Sequence, residues 1–119
     1  MTSSPIILAL DTKDISEADN WVSATKTSIS VYKVGLELFL RAGSEWTKEL
    51  AKRHQVEIFL DLKLHDIPNT VEQAVASVSP IAPKFLTIHA SGGKEMIKSA
   101  VRSAGTTSIT AVTILTSLN

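Results

Sequence analysis

A dense cluster of charged side chains lies in the middle of the chain, at residues 61–66. Asp61 and Lys63 are two positions apart at the end of an apolar run, so on a β-strand their side chains share one face. A lysine can protonate a reacting carbon, and a carboxylate beside it can orient that lysine or repel a second anion. The same segment is equally compatible with a structural Asp–Lys ion pair followed by a helix-capping Asp66.

Polar side chains also follow the other apolar runs of the sequence. Lys33 ends the run before the cluster, and with Asp61, Lys63 and Asp66 it would complete an alternating array of two lysines and two aspartates. Removing four charged side chains from water costs more desolvation free energy than a structural salt bridge in a partly desolvated cavity requires. Lys33 therefore favours a functional site. The remaining residues at the ends of the runs are Asp11, His89, Thr116 and Ser117.

Two histidines lie near this site, and each has a structural explanation. His65 is out of phase with the Asp–Lys pair, which favours a structural role, whereas His89 is equally suited to supporting hydrogen bonds and to substrate contact. Histidines near aspartates can bind metal, but Lys33 and Lys63 would bring positive charge into the same site. We therefore expect no metal site.

The composition excludes several classes of function. Twelve basic and twelve acidic residues give a formal net charge of zero, which disfavours nucleic acid or an anionic membrane as partner. The sequence has no run of 18 apolar residues and no basic segment before its first apolar run, so we expect a cytoplasmic protein. Because it has no cysteine, neither a thiol nucleophile nor cysteine-bound zinc is available.

Apolar runs alternate with helical patterns along the whole sequence. The runs predict parallel strands that are buried on both faces, and the segments between them have apolar residues on one helical face. Asp14 with Glu17 resembles a capping box, Pro68 suits a first helical turn, and Gly105 suits a helix end. The predicted strands are residues 6–10, 29–34, 56–62, 85–88 and 109–115.

This alternation predicts an α/β fold, either a barrel or a doubly wound sheet. A dinucleotide-binding sheet would need a Gly-rich turn after its first strand, and the sequence has none there, so we favour a (β/α)8 TIM barrel. Such barrels have eight strands and about 250 residues. Residues 1–119 would therefore form the N-terminal part of a single barrel domain and supply about its first five strands and four helices.

The motifs at the strand ends resemble those of the orotidine 5'-phosphate decarboxylase family. The most specific is D-L-K-L-H-D-I-P-N-T at residues 61–70, and the order of the motifs agrees along all 119 residues. The resemblance implies a cofactor-free TIM-barrel lyase that converts orotidine 5'-phosphate to UMP and carbon dioxide in pyrimidine biosynthesis. It also implies a homodimer whose active sites are shared between subunits.

The resemblance further implies a role for each matched residue. Lys63 would protonate C6 of the pyrimidine, Asp61 would lie against the substrate carboxylate, and Asp66 would reach the partner's site. Asp11 and Lys33 would hold the ribose hydroxyls and organise the charges. The other implied contacts are those of Ile67 and Thr70 across the dimer and of Thr116 or Ser117 with the base, with His89 in a supporting position.

Two alternatives remain open at this point. Magnesium-dependent sugar-phosphate decarboxylases or aldolases share an Asp-x-Lys-x-x-Asp pattern, although they place a metal-binding glutamate where this sequence has Lys33. A catalytically inactive half-barrel is the other alternative. The family's phosphate-binding arginine and its glutamine-bearing loop belong to later strands, so we expect residues 1–119 alone to be inactive.

Overall fold

The computed structural model describes residues 5–113 and contains alternating strands and helices. None of the helices in this part of the chain is both long enough and apolar enough to cross a membrane. Two short 3-10 segments, Ser79–Ile81 and Ala90–Gly92, flank the fourth strand. The elements are β1 Ile7–Ala9, α1 Ile15–Thr25, β2 Val31–Gly35, α2 Leu36–His54, β3 Glu57–Leu64, α3 Pro68–Val78, β4 Phe85–His89, α4 Lys94–Ser103 and β5 Ser108–Val112.

The five strands form one parallel sheet in the order of the sequence, from β1 to β5. Sequential parallel strands joined by helices are the repeating unit of a (β/α) barrel. The predicted α/β fold, with five strands and four helices, is confirmed. The predicted boundaries of the first four strands differ from the observed ones by at most two residues, as where β2 begins at Val31 and β3 continues to Leu64. Residues 114–115 of the fifth predicted strand lie outside the described part.

Only one face of the sheet is well buried. The other face carries half-buried side chains such as Lys33, Phe59 and Phe85, and the rings of Phe59 and Phe85 are 5.5 Å apart. β1 and β5, at the two edges, are largely exposed. The strand side chains that pack fully into the core include Tyr32, Val34, Ile58, Leu60, Leu86 and Ile88.

The prediction that all five strands are buried on both faces is therefore wrong. Alternate side chains of a strand point to opposite faces, and the helices cover one of them. The second face corresponds to the inside of the barrel, which five strands do not enclose. The polar residues at the strand ends lie on this open face, so a small molecule can reach them.

The helix ends follow the signals in the sequence, with one difference. Asp14 is the N-cap of α1 and accepts hydrogen bonds from the Ser16 and Glu17 backbone N–H groups at 2.9 and 3.2 Å. The Glu17 carboxylate accepts a hydrogen bond from the Thr12 hydroxyl, and Thr12 in turn accepts the Asp14 N–H. In the predicted capping box, the Glu17 side chain would accept the Asp14 backbone N–H directly. In the structure the Thr12 hydroxyl lies between these two groups, and it thereby fixes the loop after β1.

The remaining helix signals agree with the structure. Pro68 begins α3, and Gly105, in a left-handed conformation at φ 60°, follows the C-cap of α4. Within α2, Gly43 interrupts the helix at φ 90° and ψ 168°. The first part of α2 therefore forms a separate short segment beside the carboxyl end of β2.

Asp14→Ala should lower the free energy of unfolding by about 1 kcal/mol, because two backbone N–H groups at the start of α1 lose their acceptor. Urea unfolding of the parent and the variant measures this difference. Lys13→Ala is the matched control, since Lys13 is an exposed neighbour in the same loop. An equal loss in both variants would contradict the capping role.

Candidate active site

The last residues of β3 form an irregular segment that shapes the site. Leu60 pairs with Leu86 of β4, but the next registered pair is Leu64 with Ile88, so β3 advances four residues while β4 advances two. Lys63, inside this bulge, has a left-handed backbone with φ 50°. Such a conformation costs an L-residue about 1–2 kcal/mol, and it is retained where the surrounding structure fixes it.

The Asp61 carboxylate is the centre of the polar contacts in this region. Its Oδ2 accepts a hydrogen bond from Lys63 Nζ at 2.9 Å and lies 3.5 Å from Lys33 Nζ. Its Oδ1 accepts a hydrogen bond from the Thr87 hydroxyl at 2.8 Å. Groups from β2, β3 and β4 therefore converge on one carboxylate, as the strand-end positions predicted for Lys33, Asp61 and Lys63.

The protonation state of Asp61 follows from these contacts. Burial by itself raises the pKa of the carboxyl group. Hydrogen bonds from Lys63 and Thr87, together with the positive charges of Lys63 and Lys33, outweigh this effect and hold the pKa of Asp61 below its ordinary value. The site at neutral pH thus contains an anion, and each of its two oxygens accepts a hydrogen bond.

A cavity of about 520 Å³ opens above this charge cluster. Its volume is within the range of small-molecule sites. Part of its wall is formed by Asp11, two residues after β1, and by the first residues of α2. A cleft at the carboxyl ends of parallel strands is where barrel enzymes bind substrate. The predicted site residues that line it are Asp11, Lys33, Asp61, Lys63 and His89.

His89 lies at the wall of the cavity, and its ring is close to that of His65. The two ring centroids are 5.0 Å apart with an interplanar angle of 36°. His89 is described by this ring contact and by its place in the cavity wall, so its predicted supporting role remains a prediction. The ring contact places the exposed His65 beside His89, and its predicted structural role remains a prediction.

Asp66, Ile67 and Thr70 do not join the charge cluster of their own chain. All three are exposed at the beginning of α3, and Ile67 is 65% exposed. Asp66 Oδ1 accepts the Ile67 backbone N–H, but α3 has no side-chain cap, so the alternative of a helix-capping Asp66 is wrong. The predicted four-member array is a three-member cluster in this chain.

One residue of the site was not predicted from the sequence, and two residues that were predicted lie outside the described region. Thr87 contacts both Asp61 and Lys63, although it was hidden in the apolar run of β4. Its position two residues before His89, and so on the same strand face, was the available signal. Thr116 and Ser117 lie beyond residue 113, and their predicted contacts with the base remain predictions.

The described residues offer no group of three or more histidine, aspartate or glutamate side chains that could hold a metal ion. The two lysines next to Asp61 compete with a cation for the same oxygen. What the arrangement can provide is a lysine proton donor 2.9 Å from an ionised carboxylate, with a second cation nearby. This combination suits a reaction that creates negative charge on carbon.

Sequential parallel strands and a charged cavity at their carboxyl ends define a protein of the (β/α)8 barrel class. The chain belongs to the orotidine 5'-phosphate decarboxylase / HUMPS family, whose model matches residues 4–119. It is 48% identical over 117 residues to the orotidine 5'-phosphate decarboxylase of Thermobifida fusca, covering 98% of this chain and 50% of that protein. The corresponding enzyme of Sphingopyxis alaskensis is 44% identical, with 98% and 52% covered.

Solved structures agree with this assignment. The orotidine 5'-phosphate decarboxylase of Lactobacillus acidophilus has a TM-score of 0.86 and 38% identity, covering 98% of this chain and 56% of that one. An uncharacterized conserved protein from Geobacillus kaustophilus has the same TM-score with 36% identity, covering 97% and 57%. The resemblance predicted from the motifs is confirmed, and the chain spans about half the length of the curated relatives it matches.

The depressed pKa of Asp61 predicts how stability changes in acid. The folded state binds the Asp61 proton less readily than the unfolded state does, so this contribution is complete above the unfolded pKa of about 3.9 and is lost as pH falls through the lower folded value. In Asp61→Asn, the free energy of unfolding should therefore decline less between pH 5 and pH 2.

Urea unfolding over this pH range provides the measurement for both proteins. Glu49→Gln is the control for the removal of one negative charge, because Glu49 is an exposed residue of α2. The same pH dependence in Asp61→Asn and in the parent would show that the lysines and Thr87 do not stabilise the ionised carboxylate.

Proposed function

We propose that this chain carries the charged half of an orotidine 5'-phosphate decarboxylase active site, and that the assembled enzyme forms UMP and carbon dioxide. The observation that carries the proposal is the Lys33–Asp61–Lys63 cluster in the cavity of a chain that belongs to this family. Pyrimidine biosynthesis in the cytoplasm is the corresponding cellular role. Here the complete enzyme means these residues together with the rest of the family's barrel.

Lys63 is the proton donor of the proposed reaction. When the bond between C6 and the carboxylate carbon breaks, its electron pair stays on C6 and carbon dioxide leaves. The resulting carbanion takes a proton from Lys63 Nζ, and the neutral amine then regains a proton from solvent. Because Nζ already points into the cavity beside Asp61, the cation is in place before negative charge develops on C6.

Asp61 has two functions in this scheme. It orients Lys63 through the 2.9 Å contact, and it lies where the carboxylate of the substrate would be bound. Two like charges at about 4 Å and an effective dielectric constant of about 20 repel each other by about 4 kcal/mol. Loss of carbon dioxide relieves this repulsion, which corresponds to at most about a thousandfold in rate.

The other matched residues bind and enclose the substrate. Asp11 and Lys33 are proposed to hold the ribose hydroxyls, since both line the cavity beside the reacting groups. Thr116 or Ser117 is proposed to contact the base. His89 forms the wall near β4 and is proposed to support the site.

A homodimer with shared sites is part of the proposal. Asp66, Ile67 and Thr70 are exposed at the start of α3 and do not line the cavity of their own chain. An exposed carboxylate next to an exposed isoleucine is suited to a contact with a second subunit, where Asp66 would complete the four-member array.

The magnesium-dependent alternative is disfavoured by the contacts of Asp61. Its Oδ2 is next to both lysines, and its Oδ1 accepts the Thr87 hydroxyl. A metal would have to displace these groups and would then lie beside two positive charges. The inactive half-barrel is distinguished by the activity measurements below.

Lys63→Ala in the complete enzyme should lower kcat for orotidine 5'-phosphate by at least about 10³-fold, because the proton donor is lost. The fold should persist, since Lys63 is only half-buried at the mouth of the cavity. Loss of absorbance by the substrate measures turnover, and circular dichroism measures folding. Lys52→Ala, at an exposed lysine of α2, is the control, and activity of Lys63→Ala within tenfold of the parent would refute the assignment.

Mixing Asp66→Asn and Lys63→Ala subunits should restore activity to up to about a quarter of the parental value. In a mixed dimer, one of the two sites receives Lys63 from one subunit and Asp66 from the other, both unmutated. Each variant alone should remain inactive. Turnover is followed after subunit exchange has been verified by mass spectrometry, and mixed dimers that stay inactive at every ratio would exclude a shared site.

A further inference from the structure

Thr87 occupies an unusual position for a hydroxyl group. It lies in the middle of β4 and is only 3% exposed, while the site residues around it are half-buried. The Thr87 hydroxyl donates a hydrogen bond to Asp61 Oδ1 at 2.8 Å and accepts one from the Lys63 backbone N–H at 3.0 Å. One buried atom thus contacts both members of the Asp61–Lys63 pair.

The chemistry of the partners fixes the direction of these hydrogen bonds. An ionised carboxylate can only accept, and a backbone N–H can only donate. The hydroxyl must therefore direct its single proton at Asp61 and offer a lone pair to Lys63. Neither a side chain with only donors nor one with only acceptors can make both contacts.

The bulge explains why this link matters for Lys63. The pairing of β3 with β4 shifts between Leu60 and Leu64, and Lys63 adopts φ 50° within that segment. Left-handed backbone is disfavoured for a residue with a Cβ, so other contacts must hold it. The Thr87 hydroxyl binds the backbone of Lys63 at this point, while Asp61 binds its Nζ.

We propose that Thr87 is a positioning residue of the site, which fixes the Asp61 carboxylate and holds the Lys63 backbone so that Nζ points at the reacting carbon. It acts through these two residues and does not itself bind the substrate. This inference rests on the proposed decarboxylase function and adds a determinant on β4 to it.

Thr87→Val distinguishes the effect of the hydroxyl group from the effect of the side-chain shape. Valine keeps the β-branched volume in the buried strand, but it leaves Asp61 Oδ1 without this donor and the Lys63 N–H without this acceptor. The pKa of Asp61 should rise, because the Thr87 hydrogen bond is one of the contacts that lower it. The other titratable groups around Asp61 are unchanged in this variant: Lys33 and Lys63 remain next to it, and Asp11 and His89 line the same cavity. Thr87→Ser keeps the hydroxyl.

The experiment combines kinetics of the complete enzyme with a titration that needs no turnover. In Thr87→Val, kcat for orotidine 5'-phosphate should fall about 10- to 100-fold, the effect of losing a hydrogen bond to a charged group, while KM changes less than about threefold. Thr87→Ser should stay within about fivefold of the parent. The ¹³C signal of the Asp61 carboxyl, followed by NMR, should titrate at higher pH in Thr87→Val and near the parental pH in Thr87→Ser.

Thr47→Val is the matched control, because Thr47 is also fully buried and its hydroxyl donates to the Gly43 carbonyl within α2, away from the cavity. It should reduce thermal stability without changing kcat. If Thr87→Val does not fold, Thr87→Cys, which has a weaker donor, is measured by the same criteria.

The positioning role is refuted if Thr87→Val retains kcat within twofold, if Thr87→Ser loses as much activity as Thr87→Val, or if the Asp61 titration does not move. A different result separates the two proposals. If the parent enzyme does not decarboxylate orotidine 5'-phosphate but the Asp61 titration shifts in Thr87→Val and recovers in Thr87→Ser, the positioning of Asp61 is supported and the proposed function is refuted.

Discussion

The site is organised around the acceptor capacity of the Asp61 carboxylate. One oxygen is shared between Lys63 and Lys33, and the other is bound by the Thr87 hydroxyl, so groups from three neighbouring strands are held at fixed positions. Without the carboxylate, two ammonium groups at the end of the sheet would repel each other. The ionised state of Asp61 is therefore the condition under which both lysines can remain in the cavity.

The fold accepts local strain to place the lysine. A regular β3 would pair Lys63 with β4 in the ladder, but the bulge lifts this residue out of register, and its backbone becomes left-handed. Bulges are common beside active sites because they redirect a side chain at the end of a strand. Here the redirected side chain is that of Lys63, the proposed acid. The hydrogen bond from the Lys63 backbone N–H to Thr87 holds the irregular backbone in one conformation.

The open face of the sheet explains how the chain relates to a whole enzyme. Its helices bury one face, while the face with the charge cluster is bordered by exposed strands β1 and β5. Water that enters such a cavity weakens each charge interaction, from about 4 kcal/mol at an effective dielectric constant of 20 to about 1 kcal/mol in bulk water. Enclosure by the further strands of the family's barrel, and by the proposed second subunit, would give the cluster its full electrostatic effect.

The sequence by itself determined the order of strands and helices, the family, and the residues at the strand ends. These depend on local signals, namely the period of apolar residues, the cap at Asp14 and the motif at residues 61–70. The tertiary structure decided the three-member cluster, the exposure of Asp66, and the part played by Thr87. The cluster and the part played by Thr87 depend on how β3 pairs with β2 and with β4, contacts between segments more than 20 residues apart that no local pattern encodes.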